Sequence, residues 1–194
     1  MKALVHGCTC TSKDNAENAG DDQPLTFIWS LEPVVPVKRP AGEVAVGALA
    51  PDFELPSSSG KPLKLSSFRG KQVVLYFYPK DDTPGCTVEA CAFRDNLPKF
   101  DRLDAVVLGV SHDSLDSHAK FIDKYSLNFT LLSDEDLVAH RLYGTWKLKN
   151  NYGRTYWGTE RSTFVIGEEG KVKKIFRKVS PQGHEVEVLA ALRA

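Results

Sequence analysis

The chain has 194 residues, which suits one compact domain of roughly 100 to 200 residues with some length to spare and excludes a large multidomain machine. Its 25 basic and 25 acidic residues cancel to a formal charge of zero, so no global field draws it to nucleic acid or to an anionic membrane surface. With 42% hydrophobic and 26% charged residues it is composed like an ordinary globular protein, neither disordered nor membrane-embedded.

No run approaches the roughly 18 apolar residues that a membrane helix requires. The opening stretch from Met1 to Cys8 offers one lysine and the short apolar run Ala3-Leu4-Val5, well below a signal-peptide core of about 7 to 15 residues. The acidic residues Asp14, Glu17, Asp21 and Asp22 fit an organelle transit peptide poorly, and the chain is expected to be cytoplasmic. A polar stretch at 12–24 and prolines at 33, 36 and 40 mark residues 1–46 as an N-terminal extension, partly extended or flexible. Within it Phe27, Ile28, Trp29 and Leu31 would be costly to leave in water, so that piece is expected to lie across the domain or a partner.

From residue 47 to 194 strands and helices alternate. The runs at 72–78 (QVVLYFY) and 105–110 (AVVLGV) are continuous, β-branched and aromatic, as expected of strands covered on both faces. Between them 83–99 predicts a helix with Thr83 as N-cap and Pro84 at its first position. A second helix starts near Asp113-Ser114 and carries Leu115, His118, Ala119 and Ile122 on one face. A short strand at 129–132 leads to a helix capped by Asp134, with Glu135 and Asp136 in its first turn and Gly144 after its last. Strands at 162–166 and 171–176 flank a Gly-Glu-Glu-Gly turn, and a last helix opens at Ser180-Pro181 and is expected to bury Val186, Leu189 and Ala190. This order implies an α/β fold, a mostly parallel sheet between helices finished by an antiparallel hairpin.

Four cysteines are too few for a disulfide-stapled domain, and they fall in two close pairs, Cys8 with Cys10 and Cys86 with Cys91. The second pair lies where an open α/β sheet builds its site, in the loop that leaves the first central strand and enters a helix: Pro79-Lys80-Asp81-Asp82-Thr83-Pro84-Gly85-Cys86. In the first helical turn the unpaired N–H groups and the positive end of the dipole favour the thiolate, the reactive form. Five residues of helix put the Cα atoms of Cys86 and Cys91 about 8.6 Å apart, beyond the roughly 7 Å that a disulfide tolerates. Any bond between them needs local unwinding. Cys91 reads equally well as a small core residue, since Val88, Cys91 and Ala92 share a helical face.

The pattern Pro79-x-x-x-Thr83-x-x-Cys86 resembles the active-site signature of peroxiredoxins, and the fuller string YPKDDTPGCTVEACAFRD resembles their bacterioferritin-comigratory or peroxiredoxin Q branch. APDFELP at 50–56 and YGRTYWGTERSTFVI at 152–166 extend the likeness over residues 47–194, and residues 1–46 have no counterpart. The resemblance implies a thioredoxin-like fold with a central mixed β-sheet flanked by helices. It implies a thiol peroxidase acting on hydrogen peroxide and small organic hydroperoxides, with Cys86 as peroxidatic nucleophile passing through a sulfenic acid. Thr83 would hydrogen-bond thiolate and peroxide, and Arg161 would supply a permanent cation with several donors. Pro79 would wall the pocket, and Glu89 matches an acidic position of the branch. Cys91 would be the resolving cysteine, closing a Cys86–Cys91 disulfide that a thioredoxin-like protein reduces. The cycle needs no metal or bound organic cofactor, and the branch is often monomeric.

Two rivals share the fold. A thiol-disulfide oxidoreductase favours two cysteines separated by two residues where this chain has four between them, and a non-enzymatic redox sensor would use the same helix opening to display a partner site. His6, Cys8 and Cys10 are three close soft ligands on a tail and form no closed metal site. His112, His118, His140 and His184 show no metal spacing and are expected at the surface or in packing roles. Tyr152, Tyr156 and Trp157 read as an aromatic pocket edge or as core, with core favoured, and the basic stretch 171–178 as a protected sheet edge rather than a nucleic-acid patch.

Overall fold

The computed structural model describes residues 44–151 and 153–194. The readings on His6, Cys8 and Cys10, on the apolar run at 27–31 and on Tyr152 lie outside the described residues. A short antiparallel pair, β1 (Glu54–Leu55) and β2 (Leu63–Lys64), leads through a 3-10 turn at Leu65–Phe68 to β3 (Gln72–Phe77). There follow α1 (Pro84–Asp101), β4 (Ala105–Ser111), α2 (Leu115–Tyr125), β5 (Thr130–Ser133) and α3 (Val138–Leu142). A hairpin of β6 (Trp146–Asn151) and β7 (Arg154–Thr159) precedes β8 (Ser162–Ile166), β9 (Val172–Arg177) and α4 (His184–Arg193). Five strands form one sheet in the order β5-β4-β3-β8-β9. The β3–β4 and β4–β5 pairs are parallel, whereas β8 runs antiparallel to both β3 and β9.

β3 occupies the centre because its residues are apolar on both faces. Val73, Leu75 and Phe77 join one buried cluster with Leu108, Val110 and Phe164. Val74, Tyr76 and Tyr78 join the other, with Phe93, Phe121 and Val188. The strand's period of two divides the run between the layers, and each fully buried large side chain contributes roughly 1.5–3 kcal/mol. α1, α2 and α4 cover the second face, while α3 and the segment from Val44 to Leu65 cover the first. Val44 itself is buried, so packing of the domain begins before residue 47.

The helices expected late in the chain start elsewhere. α3 begins at Val138, after Leu137 takes a left-handed φ of 59°. Asp134 still caps it from the preceding loop, accepting the N–H groups of Val138 at 2.7 Å and His140 at 2.8 Å, whereas Glu135 and Asp136 lie before the helix. α4 begins after Gly183, whose φ of 78° turns the chain, not at Ser180-Pro181. The later start rotates the buried stripe to His184, Val188, Leu189 and Leu192, leaving Val186 62% exposed and Ala190 exposed as well.

Tyr156 and Trp157, expected in the core, are 48% and 60% exposed on the β6–β7 hairpin. His118, His140 and His184 are buried and paired: His118 with Asp81, His140 with Asp134 and His184 with Thr163. β9 is an edge of the sheet, with Lys173 and Lys174 exposed on it. Among the described residues no helix is long and apolar enough to cross a membrane.

Gly109 faces Tyr76 across the β3–β4 pair. A Cβ there would stand 2.7 Å from the Tyr76 hydroxyl and 2.7 Å from Leu131 Cδ2, so the glycine makes room for the ring. That ring stacks on Tyr78 at 5.4 Å and leans on Phe93 at 4.9 Å, which leaves it nowhere to retreat. Gly109→Ala is therefore expected to destabilise the fold by about 1–3 kcal/mol in urea unfolding, with an unchanged midpoint refuting the tight fit.

Candidate active site

The loop 79–83 leaves the carboxyl end of β3 and is tied down by its two aspartates. Asp81 accepts from the Tyr78 hydroxyl at 2.7 Å and the Ser117 hydroxyl at 2.8 Å, and faces His118 Nδ1 at 2.8 Å. Its own N–H donates to Asp113 at 2.9 Å. Burial raises the Asp81 pKa, but the hydrogen bonds and charge of His118 and the two hydroxyls outweigh it and hold the carboxyl below its ordinary value. Asp82, in a left-handed turn at φ 53°, accepts from Lys124 at 2.7 Å and from the Tyr125 hydroxyl at 2.6 Å. Both ties end on α2, so the loop is fixed to the neighbouring helix before α1 begins.

Thr83 is the N-cap residue of α1 by backbone conformation, but its side chain makes no cap hydrogen bond. The hydroxyl donates to the Lys80 carbonyl at 3.1 Å, which corrects the expected bond to the Cys86 sulfur. With its proton committed there, the oxygen keeps lone pairs with which to accept an O–H. Pro84 occupies the first helical turn, as its missing N–H allows, and places Cys86 within that turn. Pro79 lies half-buried between β3 and Asp81.

Cys86 is 2% exposed. Arg161 Nη2 donates to its Sγ at 3.2 Å, and Arg161 Nη1 donates to Glu89 Oε2. Arg161 follows the β6–β7 hairpin and immediately precedes β8, whose last pair with β3 is Phe77 to Ser162. Its carbonyl accepts from the Val179 N–H at 3.1 Å. The guanidinium lies beside Gly85: a Cβ there would be 3.4 Å from Nη2, an ordinary van der Waals contact.

Glu89 lies on the buried side of α1, one turn after Cys86, and burial pushes its pKa up to about 7 despite the opposing charge and hydrogen bond of Arg161. Burial works against the Arg161 cation, yet Glu89 and Cys86 together raise its pKa above the ordinary arginine value. Glu89 Oε1 and the Tyr76 hydroxyl are both buried without a hydrogen-bond partner among the described residues.

Cys91 does not join this cluster. It lies in the same unbroken helix, and five helical residues separate its Cα from that of Cys86 by about 8.6 Å, beyond disulfide reach. Both thiols are free. The buried face of α1 is Cys86, Glu89, Ala90, Phe93 and Phe100, while Cys91 is half-buried and Val88 is 48% exposed. The reading of Cys91 as a core residue therefore fails.

The structure thus brings together Cys86, Arg161 and Glu89, with Thr83 a turn away. Sequence reading missed Asp81 and Asp82 as anchors, Gly85 beside the guanidinium, and Tyr76 near Glu89 and Cys86. It also missed Lys149, whose ammonium donates to the Thr159 carbonyl. Burial, followed by the Arg161 charge, depresses the Lys149 pKa, with Glu160 and Cys86 acting the other way. Only the signature around Cys86 was available to point toward Asp81 and Gly85. Lys149 carried no signal, because the hairpin that delivers it was not foreseen. Among the described residues no group of three or more His, Cys, Asp or Glu side chains is placed to hold a metal ion.

Residues 46–175 match the AhpC/TSA family. The chain is 49% identical over 150 residues to peroxiredoxin Bcp of Bacillus subtilis, covering 77% of this chain and 96% of that protein. Against peroxiredoxin Bcp of Escherichia coli the identity is 42% over 147 residues, covering 76% and 94%. Among solved structures, peroxiredoxin Q of Xanthomonas campestris superposes with a TM-score of 0.70 at 45% identity, covering 73% of this chain and 89% of that one. The bacterioferritin comigratory protein of the same organism, solved as trapped intermediate and ligand complexes bearing on alkyl peroxide reduction, gives the same score and identity with 73% and 90% covered. The strand and helix order around Cys86 and the identity along nearly the whole length of these relatives agree, and the chain belongs to the AhpC/TSA family, within its Bcp and peroxiredoxin Q branch of peroxiredoxins.

Proposed function

We propose that this thiol peroxidase reduces hydrogen peroxide and small organic hydroperoxides at Cys86, and the observation that carries the reading is the 3.2 Å donation from Arg161 to a buried sulfur at a helix start. The thiolate attacks one peroxide oxygen. An S–O bond forms as the O–O bond breaks, the sulfur is oxidised to sulfenic acid, and the other oxygen leaves as alkoxide or hydroxide and takes up a proton. Arg161 supports the charge as it passes from sulfur to the leaving oxygen. The Thr83 oxygen, already donating to Lys80, can accept the hydroperoxide O–H and so orient it. Glu89 is a positioning residue, holding the second arm of the guanidinium. Pro79 walls the loop side of the pocket.

Resolution follows within the chain. The Cys91 thiolate attacks the Cys86 sulfenic sulfur, an S–S bond forms, and the hydroxide leaves as water after protonation. The first turns of α1 must unwind, because the helical separation forbids the bond. A thioredoxin-like dithiol then reduces the disulfide by exchange. One chain holds both sulfurs, in keeping with a monomer, and dependence on a thiol reductant fits the cytoplasm.

Four outcomes are expected. Cys86→Ser reduces peroxide turnover to background, and Arg161→Met lowers kcat/KM by about 10²–10³. Cys91→Ser permits one oxidation of Cys86 but stops recycling by a thioredoxin system. Intact mass after one equivalent of hydrogen peroxide shows a loss of two hydrogens, mapped to Cys86 and Cys91. Normal steady-state turnover in the Cys86 variant would refute the assignment.

Glu89 gives a pH prediction. Its folded pKa of about 7 exceeds the ordinary value of 4.5, so the folded state binds the proton more tightly than the unfolded one. Its contribution to stability is full below the ordinary carboxylate value and is lost as pH rises through about 7. Glu89→Gln removes this dependence. Between those limits the variant should gain on the wild type by about 3 kcal/mol in unfolding free energy as pH rises, while its peroxidase kcat/KM falls. A stability difference that is flat with pH would disprove the role of the buried charge.

A further inference from the structure

Beside Arg161 opens a groove of about 660 Å³ lined by Lys147, Lys149, Arg161 and Lys178 and by one carboxylate, Glu160, with Arg161 already paired to Glu89 behind it. Tyr156 adds apolar surface. The β6–β7 register explains part of the layout, since Lys149 stands opposite Tyr156 and Lys147 opposite Gly158, and residues two apart share a face of the ribbon. Lys178 reaches the groove because it takes a left-handed φ of 52° after β9 and the next residue, Val179, bonds the Arg161 carbonyl. A non-glycine residue in that conformation is costly, and such strain gathers at functional sites.

The cations outnumber what the groove offers them. Glu160 lies 4.0 Å from Arg177, which already answers part of its charge. Lys149 donates to the Thr159 carbonyl, and burial together with Arg161 works against its positive form. Lys147 and Lys178 form no ion pair among the described residues. In a chain whose formal charge is zero, this local excess of positive charge is complementary to an anion.

We propose that the groove receives the non-reacting part of an organic hydroperoxide bearing a carboxylate, so that the chain prefers anionic organic hydroperoxides to neutral ones of the same shape. The O–O bond sits at Cys86 and Arg161, the organic body lies along Tyr156, and the carboxylate meets Lys147 and Lys178. The inference rests on the reading of Cys86 as the sulfur that reduces peroxide.

The test uses the full chain and three probes: hydrogen peroxide, the para-carboxylate of cumene hydroperoxide, and the methyl ester of that carboxylate. Second-order rate constants for oxidation of Cys86 are measured in single turnover. At low ionic strength the carboxylate should react about five- to tenfold faster than its ester, and the ratio should fall toward one near about 1 M salt, where the screening length is only about 3 Å. In the Lys147→Gln/Lys178→Gln double variant the ratio should drop at least about threefold, and because it compares two probes on one protein a general loss of activity does not move it. A ratio of one in the wild type at low salt, or a ratio unmoved by the double substitution, overturns the proposal. If the double variant does not fold, the salt dependence of the wild-type ratio decides alone. Hydrogen peroxide separates the two readings: failure to oxidise Cys86 sinks the peroxidase assignment, whereas oxidation with equal carboxylate and ester rates sinks only the groove.

Discussion

Arg161 stands between a buried sulfur and a buried carboxylate, and much of the structure around Cys86 exists to hold it there. Burying a cation beside Glu89 is expensive, and removing either partner of such a pair typically costs about 3–5 kcal/mol. The position is therefore fixed by backbone rather than by the side chain alone. The antiparallel pairing of β8 with β3 sets the height of Arg161 at the end of the central strand, and Val179 bonds its carbonyl. The guanidinium lies beside Gly85 at the start of α1. The two apolar layers on either face of β3 offset the cost of this polar inclusion.

The helix that presents Cys86 to Arg161 also keeps it from Cys91. In the proposed cycle a continuous α1 is the state that meets peroxide, and it is incompatible with the disulfide that ends that cycle. The clamps on either side of the cysteines limit what must move. Asp82 bonds Lys124 and the Tyr125 hydroxyl ahead of the helix, and Arg94 donates to the Tyr125 carbonyl at 2.5 Å beyond the second cysteine. Both ties meet at the carboxyl end of α2. The unwinding that a Cys86–Cys91 bond demands falls between them, so the sheet and the remainder of α1 need not be disturbed.

The parts legible in the sequence are those where one short window determines the outcome. The runs in β3 and β4 are apolar on both faces, so no choice of register could expose them, and the loop from Pro79 to Cys86 carried its chemistry in adjacent residues. Starts of the later helices were less legible because they depend on single backbone conformations: Leu137 and Gly183 turn left-handed, and the displaced start of α4 exposed Val186. Trp157 looked like a core residue for its type, yet its hairpin stands apart from the five-stranded sheet and leaves it at the surface. Thr83 was placed correctly on the chain, but the direction of its hydroxyl depends on the Lys80 carbonyl, which spacing does not reveal.

The zero net charge acquires a physical meaning once the charges are located. Equal numbers of acids and bases produce no long-range field, and at physiological ionic strength the screening length is about 8 Å in any case. Capture of a substrate thus depends on the last few ångströms of approach. There the balance is broken, because segments far apart in sequence converge: the start of α1, the β6–β7 ribbon, the residue before β8 and the bend after β9. In the proposed reaction a neutral peroxide needs only Arg161 and the helix start. A charged one also senses the lysines beside them, so the groove can discriminate among substrates without making the whole protein adhere to anions.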